Sequence, residues 1–132
     1  ITTAIDYPNA APHVGHVYEK LIADTYARWY RAQGANVRFI TGTDENGQKL
    51  LRAAESAALP PQAFVDGTSA VFRQLCSRLA LTNDDFIRTT EPRHKEAVYR
   101  IWRRLEERGD IYFGHYSGNY CHGFDGFCRL CG

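Results

Sequence analysis

The sequence predicts an α/β fold, a Rossmann-like parallel sheet with flanking helices, and two observations predict it. Three short runs rich in β-branched and aromatic residues, ITTAI, NVRFITG and DDFIRTT, alternate with longer segments of helical period, the pattern of strands joined by helical crossovers. The loops after the first two runs, DYPNAAPHVGH and TGTDENG, are rich in Gly, Pro, Asn, Asp and His. In an open parallel sheet such loops meet at the carboxyl edge of the strands, where ligands collect.

Each element has a local reason. ITTAI has the β-branched character of a strand, and the loop DYPNAAP follows it. A helix is expected from about His13 to Gln33: Pro12 suits a first helical position, Tyr18, Leu21, Ile22 and Trp29 share a face, and Gly34 stops it. NVRFITG reads as the second strand. After TDENG, KLLRAAESAA reads as a helix closed by Pro60 and Pro61. A further helix covers residues 61–79, with Phe64, Val65, Phe72, Leu75 and Leu79 at helical spacing. DDFIRTT reads as a short third strand. PRHKEAVYRIWRRLEERG is expected to form a long helix with Ala97, Val98, Ile101, Trp102 and Leu105 inward, arginines outward and Gly109 at its end. The alternating aromatics of DIYFGHYSGNYC read as a strand or hairpin.

With 132 residues, 44% of them apolar and 23% charged, the chain has the composition of a globular protein with one real core. A net charge of +1 gives no basic footprint of a dedicated nucleic-acid module. No apolar run reaches the length of a membrane span and no signal peptide opens the chain, so a cytoplasmic protein is expected. ITTAI starts abruptly and FCRLCG ends abruptly, and both edges read as cuts through a longer structured sequence.

His13 and His16 raise the chemical question. Three residues apart at the mouth of a helix, they fit phosphate contact, metal ligation or a plain surface role. No nearby carboxylate completes an obvious metal set. Gly15 between them lets a flat ligand or a phosphate approach the backbone. GTDENG is open in the same way: Thr43 or Asp44 could cap a helix with Gly47 at a turn, or the carboxylate could hold a ligand. Arg88 and Arg93 read as structural or solvated. Cys76, on a helical face with Phe72, Leu75 and Leu79, reads as a small buried thiol.

Context narrows these choices. HVGH resembles the HIGH signature of class I aminoacyl-tRNA synthetases and stands between a first strand and a first helix, as in that family. TTAIDYPNAAPHVGH, FITGTDENGQK and NDDFIRTTEPRHK, in that order and spacing, resemble the methionyl-tRNA synthetases. The likeness covers nearly the whole chain and thins after Tyr120. It implies a nucleotide-binding half of the catalytic domain over residues 1–110 and the start of a connective insertion over 111–132. It implies activation of L-methionine with ATP and magnesium, then transfer to methionine tRNA.

By that resemblance, Asn9, His13, Gly15 and His16 bind ATP, and His13 and His16 stabilise charge developing at the α-phosphorus. Gly15 corresponds to the glycine against which adenine packs. Asp44 pairs with the substrate ammonium, while Ile5 and Tyr7 border its side chain. The chain departs from the family pattern at Ala4, where proline is frequent, at Asp6, where many members carry an aromatic, and at Asn46, in place of the histidine of GTDEHG. Asn46 keeps a donor but cannot carry charge.

Members of the family that the chain resembles often carry a zinc knuckle that begins YCxxC in the connective insertion. Cys121 corresponds to its first ligand, Phe124 stands at its second, and Cys128 and Cys131 form a CxxC. Cys121, Cys128 and Cys131, with His122, make a candidate zinc site. The KMSKS signature does not occur in these residues, so they are not expected to be active alone. Two rivals remain: a class I synthetase or other HxGH nucleotidyltransferase for a different substrate, and a non-catalytic tRNA- or partner-binding paralogue.

Overall fold

The computed structural model describes residues 1–121 and 126–127. Its elements run α1 (Val14–Ala32), β1 (Ile40–Thr43), α2 (Gln48–Ser56), α3 (Pro61–Arg78), β2 (Asp85–Arg88), α4 (Pro92–Glu107), β3 (Tyr120–Cys121) and β4 (Gly126–Phe127). β1 and β2 pair in parallel, with Ile40 opposite Asp85 and Thr43 opposite Arg88. The residues expected as a first strand run parallel along the other side of β1. They touch it through two isolated bridges, Thr2 to Ile40 and Asp6 to Thr43, instead of a continuous ladder. The spatial order is therefore third strand, second strand, first segment, which is one half of a doubly wound sheet.

The backbone hydrogen bonds of the opening segment stitch it to β1. Thr3 donates to Ile40 at 3.3 Å and Asp6 to Gly42 at 3.0 Å, while Asp44 donates to Asp6 at 2.8 Å. The last of these joins the DYPNAAP loop to the GTDENG loop at the carboxyl edge. Gly42 sits where β1 passes closest to β2: a Cβ there would lie 2.0 Å from the Ile87 carbonyl oxygen.

Two apolar clusters hold the layers together, Ala23, Ala27 and Phe39 beneath α1, and Phe72, Cys76 and Phe86 beneath α3. Cys76 is the expected buried thiol, and its burial pushes its pKa up. α3 buries Val65, Ser69, Phe72 and Cys76 at helical spacing, with Phe64, Leu75 and Leu79 half-buried beside them.

The other long helices correct the expectation. Tyr18, Leu21, Ile22 and Trp29 of α1 are exposed, and the buried stripe is Lys20, Ala23, Asp24 and Ala27. Alanines let the helix approach closely, and the charged members of the stripe are buried because loops supply partners. Asp24 Oδ1 accepts from the Thr82 backbone at 2.7 Å and hydroxyl at 2.6 Å, and its Oδ2 accepts from Arg28. Arg31 donates to Thr82 Oγ1 and to Asp84 Oδ2, both at 2.7 Å. Burial pushes the Asp24 carboxyl up, but the bonds from Thr82 and Arg28 outweigh it and hold the group below its ordinary value.

α4 buries no residue: Ala97, Val98, Ile101 and Trp102 are exposed and Leu105 is only half-buried. Its apolar pattern has no covering element among the described residues. Residues 111–119 carry no strand pairing, and of the expected strand or hairpin over DIYFGHYSGNYC only β3 is paired, antiparallel to β4 beyond that stretch, with Cys121 opposite Gly126. His122, Phe124, Cys128 and Cys131, on which the zinc reading falls, lie outside the described residues.

Candidate active site

The site begins where α1 begins. Pro12 lies just outside the helix, and His13 is its N-cap. His13 Nδ1 accepts the Gly15 N–H, and His16 Nδ1 accepts the His13 N–H, both at 3.1 Å. Two imidazoles thus form the reciprocal capping box that Ser or Thr with Glu usually makes. Their rings stack at 3.8 Å between centroids, tilted by 31°. The edge of Phe72 meets His16 at 5.2 Å.

This box has a chemical consequence. A neutral imidazole that accepts at Nδ1 carries its proton on Nε2, so each ring becomes a donor at its outer nitrogen. Two Nε2–H donors therefore sit at a helix N-terminus, where the backbone already favours anions. Burial lowers the His16 pKa; Asp6 opposes it, and His13 and Lys20 push the same way as burial. Gly15 has a further reason beyond ligand approach: a Cβ there would lie 2.9 Å from His13 Cε1 and 3.0 Å from Nδ1. A side chain at residue 15 would dislodge the cap.

Behind the histidines lies a charge pair that the sequence reading missed. Lys20, fully buried and one turn beyond His16, donates to Oδ2 of buried Asp6. Asp6 Oδ1 stands 3.9 Å from His16 Nε2, beyond hydrogen-bond range. Glu19 accepts the Ala4 N–H at 2.8 Å, so α1 grips the opening segment at two places. Of the neighbouring expected residues, Ile5, Tyr7 and Asn9 are exposed along this edge, and Pro8 between them is buried.

Asp44 is half-buried at the end of β1. It does not cap a helix; α2 starts later, with Gly47 at its N-cap and no side-chain cap bond. Asp44 Oδ1 accepts the Asn46 N–H at 3.3 Å and lies 3.5 Å from the Thr89 hydroxyl. Asn46 does keep a donor role, giving Nδ2–H to Thr89 Oγ1 at 3.0 Å.

The neighbouring Glu45 turns inward, again unanticipated by the sequence. It accepts from Arg88 Nε at 2.6 Å and Nη2 at 2.9 Å, from Thr43 at 2.9 Å, and from Ser69 and Thr90. Burial pushes the Glu45 carboxyl up, and the bonds from Arg88, Ser69, Thr90 and Thr43 more than reverse this, leaving its pKa below the ordinary value. Arg88 is correspondingly held in its charged form by Glu45 and Asp66. It is structural, as expected, and so is Arg93, which pairs with Asp85 and Glu91. The network fixes the turn from which Asp44 projects.

The histidine donors, the loop of Ile5 and Tyr7, and Asp44 thus share one edge of the sheet, joined through the Asp6–Asp44 backbone bond. A cleft of ≈ 350 Å³ opens beside that edge, lined in part by Glu45, Asn46, Thr90 and Lys95. A larger groove of ≈ 720 Å³ is lined by α4 residues alone and includes none of the site residues. Among the described residues no three His, Cys, Asp or Glu side chains form a group that could hold a metal ion. Among the described residues no helix is long and apolar enough to cross a membrane.

The family described as tRNA synthetases class I (M) matches residues 1–128. The chain belongs to that family. It is 51% identical over 120 residues to the methionine–tRNA ligase of Mycobacterium leprae, covering 91% of this chain and 22% of that protein. The methionine–tRNA ligase of Rickettsia conorii is 50% identical, with 91% and 24% covered. Among solved structures, Mycobacterium tuberculosis methionyl-tRNA synthetase bound by methionyl-adenylate superposes with a TM-score of 0.87 at 50% identity, covering 90% of this chain and 24% of that one. A leucyl-tRNA synthetase of Agrobacterium radiobacter K84 shares the fold, with a TM-score of 0.77 at 24% identity. This synthetase chain spans under a quarter of the length of the methionine–tRNA ligases it matches.

Proposed function

We propose that this chain forms the ATP- and methionine-binding part of a methionine–tRNA ligase, with residues 1–110 as its nucleotide-binding half. The observation that carries the reading is the pair of Nε2–H donors, fixed by the His13–His16 capping box at the start of α1, on the same sheet edge as Asp44. The methionyl-adenylate bound by a structural relative at 50% identity supports the choice of ligand.

In this reading a carboxylate oxygen of methionine attacks the α-phosphorus of ATP. The bond to the β-phosphate oxygen breaks, and pyrophosphate departs with that electron pair. No side chain becomes a nucleophile. His13 and His16 donate to phosphate oxygens as charge develops, with Asn9 and Gly15 bordering the nucleotide, so catalysis is positioning plus preorganised electrostatics. Magnesium accompanies the triphosphate. Asp44 holds the methionine ammonium, and Ile5 and Tyr7 flank its thioether, where an aromatic ring and sulfur attract. A hydroxyl at the 3′ end of methionine tRNA then attacks the adenylate carbonyl, releasing AMP.

A cytoplasmic location belongs to the same reading, as does zinc held by Cys121, Cys128 and Cys131. Metal analysis of the intact protein tests the zinc assignment. The function itself is tested by ATP–pyrophosphate exchange in the intact protein with methionine, leucine, valine and cysteine. Exchange driven best by methionine is expected; exchange driven best by another of the four overturns the assignment.

A further inference from the structure

We infer that Lys20 and Asp6 are positioning residues for His16: by pairing with Asp6 inside the fold, Lys20 keeps that carboxylate from capturing the His16 Nε2–H and leaves it for the phosphates. The inference rests on the methionine-activation reading and adds to it two residues outside the expected site.

Three features of the structure carry it. Lys20 is 0% exposed and Asp6 5%, so neither charge is solvated and each needs the other. The pair uses Asp6 Oδ2, while Oδ1 faces His16 Nε2 across 3.9 Å, close enough for attraction and too far for a hydrogen bond. His16 is anchored by its other nitrogen, which accepts from His13 only while Nδ1 is unprotonated. Protonation of His16 therefore breaks the capping box and disturbs both donors together.

The charged and titratable groups around His16 are Glu19 and Lys20 on its own helix, His13 at the cap and Asp6 on the opening segment. Cys76 on α3 feels the same Asp6–Lys20 pair. Without Lys20, Asp6 is an unpaired carboxylate beside an imidazole. It favours the imidazolium and draws Nε2–H toward itself. Without the Asp6 charge, Lys20 is an unpaired cation beside the same ring and favours the neutral form. The two losses act on His16 in opposite directions, which a merely structural pair does not do.

The experiment is the pH dependence of single-turnover adenylate formation in the intact protein, compared for the parent, Lys20→Met, Asp6→Asn and the double variant. Lys20→Met is expected to move the acid limb of the profile to higher pH. It should also slow the reaction about a hundredfold at pH 7, the scale of a misplaced catalytic group, with methionine affinity little changed. Asp6→Asn should move the limb the other way, and the double variant should return it toward the parent position. A single variant that fails to fold leaves the other to carry the test, since each has its own direction. Limbs that stay in place, or move the same way in both single variants, overturn the inference while the functional reading stands. A parent that forms no adenylate defeats the functional reading and this inference with it.

Discussion

Replacing Glu45 tests whether its buried network holds the turn that carries Asp44. In Glu45→Ala, Arg88 loses a two-pronged partner at 2.6 and 2.9 Å, and the hydroxyls of Thr43, Ser69 and Thr90 lose their shared acceptor. Removing one member of a buried ion pair costs about 3–5 kcal/mol. The Arg88 side chain is 20% exposed and keeps Asp66, which places this case near the lower end. Glu45→Gln keeps the shape and exchanges charged bonds for neutral ones, a loss of about 1–2 kcal/mol.

The sign of the pH dependence follows from the depressed Glu45 pKa. Its stabilising contribution is complete above the unfolded value of 4.5 and is lost as pH falls through the lower folded value. Thermal and denaturant unfolding of the intact protein at neutral pH should rank the parent above Glu45→Gln and Glu45→Ala last. The gap between parent and Glu45→Gln should close in acid. Equal stability of parent and Glu45→Gln at neutral pH, or a gap that widens in acid, would refute the reasoning.

Further expectations follow from single contacts. Asp44→Ala leaves a ligand ammonium without its partner and should weaken methionine binding by about 2–5 kcal/mol, read by calorimetry, with the fold intact. His13→Ala and His16→Ala should each slow adenylate formation by about a hundredfold to a thousandfold, with methionine affinity nearly unchanged, in single-turnover kinetics. Gly42→Ala places a methyl group against the Ile87 carbonyl, and melting curves should show a loss of at least about 3 kcal/mol, the upper range for overpacking.

How far the sequence could be read depended on how local each cause was. The end of α1 follows from Gly34, and the starts of α3 and α4 from Pro61 and Pro92, all local chemistry; Pro12, expected at the first helical position of α1, instead precedes its cap. The inward face of α1 was misjudged because apolarity ranks Tyr18 and Trp29 above Lys20 and Asp24. What buries Lys20 is a carboxylate 14 residues away, and what buries Asp24 is a loop 58 residues away. α4 has a legible apolar stripe and nothing among the described residues to cover it. The position of His13 and His16 was legible, but their mutual cap was not, because histidine is not a customary N-cap. Glu45 looked like part of a turn; the four residues that bond its carboxylate come from β1, α3, β2 and just after β2.

The most direct test of the central claim is a structure of the intact protein with a non-hydrolysable methionyl-adenylate analogue. The account predicts the ammonium at the Asp44 carboxylate, the thioether beside Ile5 and Tyr7, and the phosphate within hydrogen-bond reach of Nε2 of His13 or His16. An analogue bound away from the start of α1, or with its ammonium held by a group other than Asp44, would contradict it.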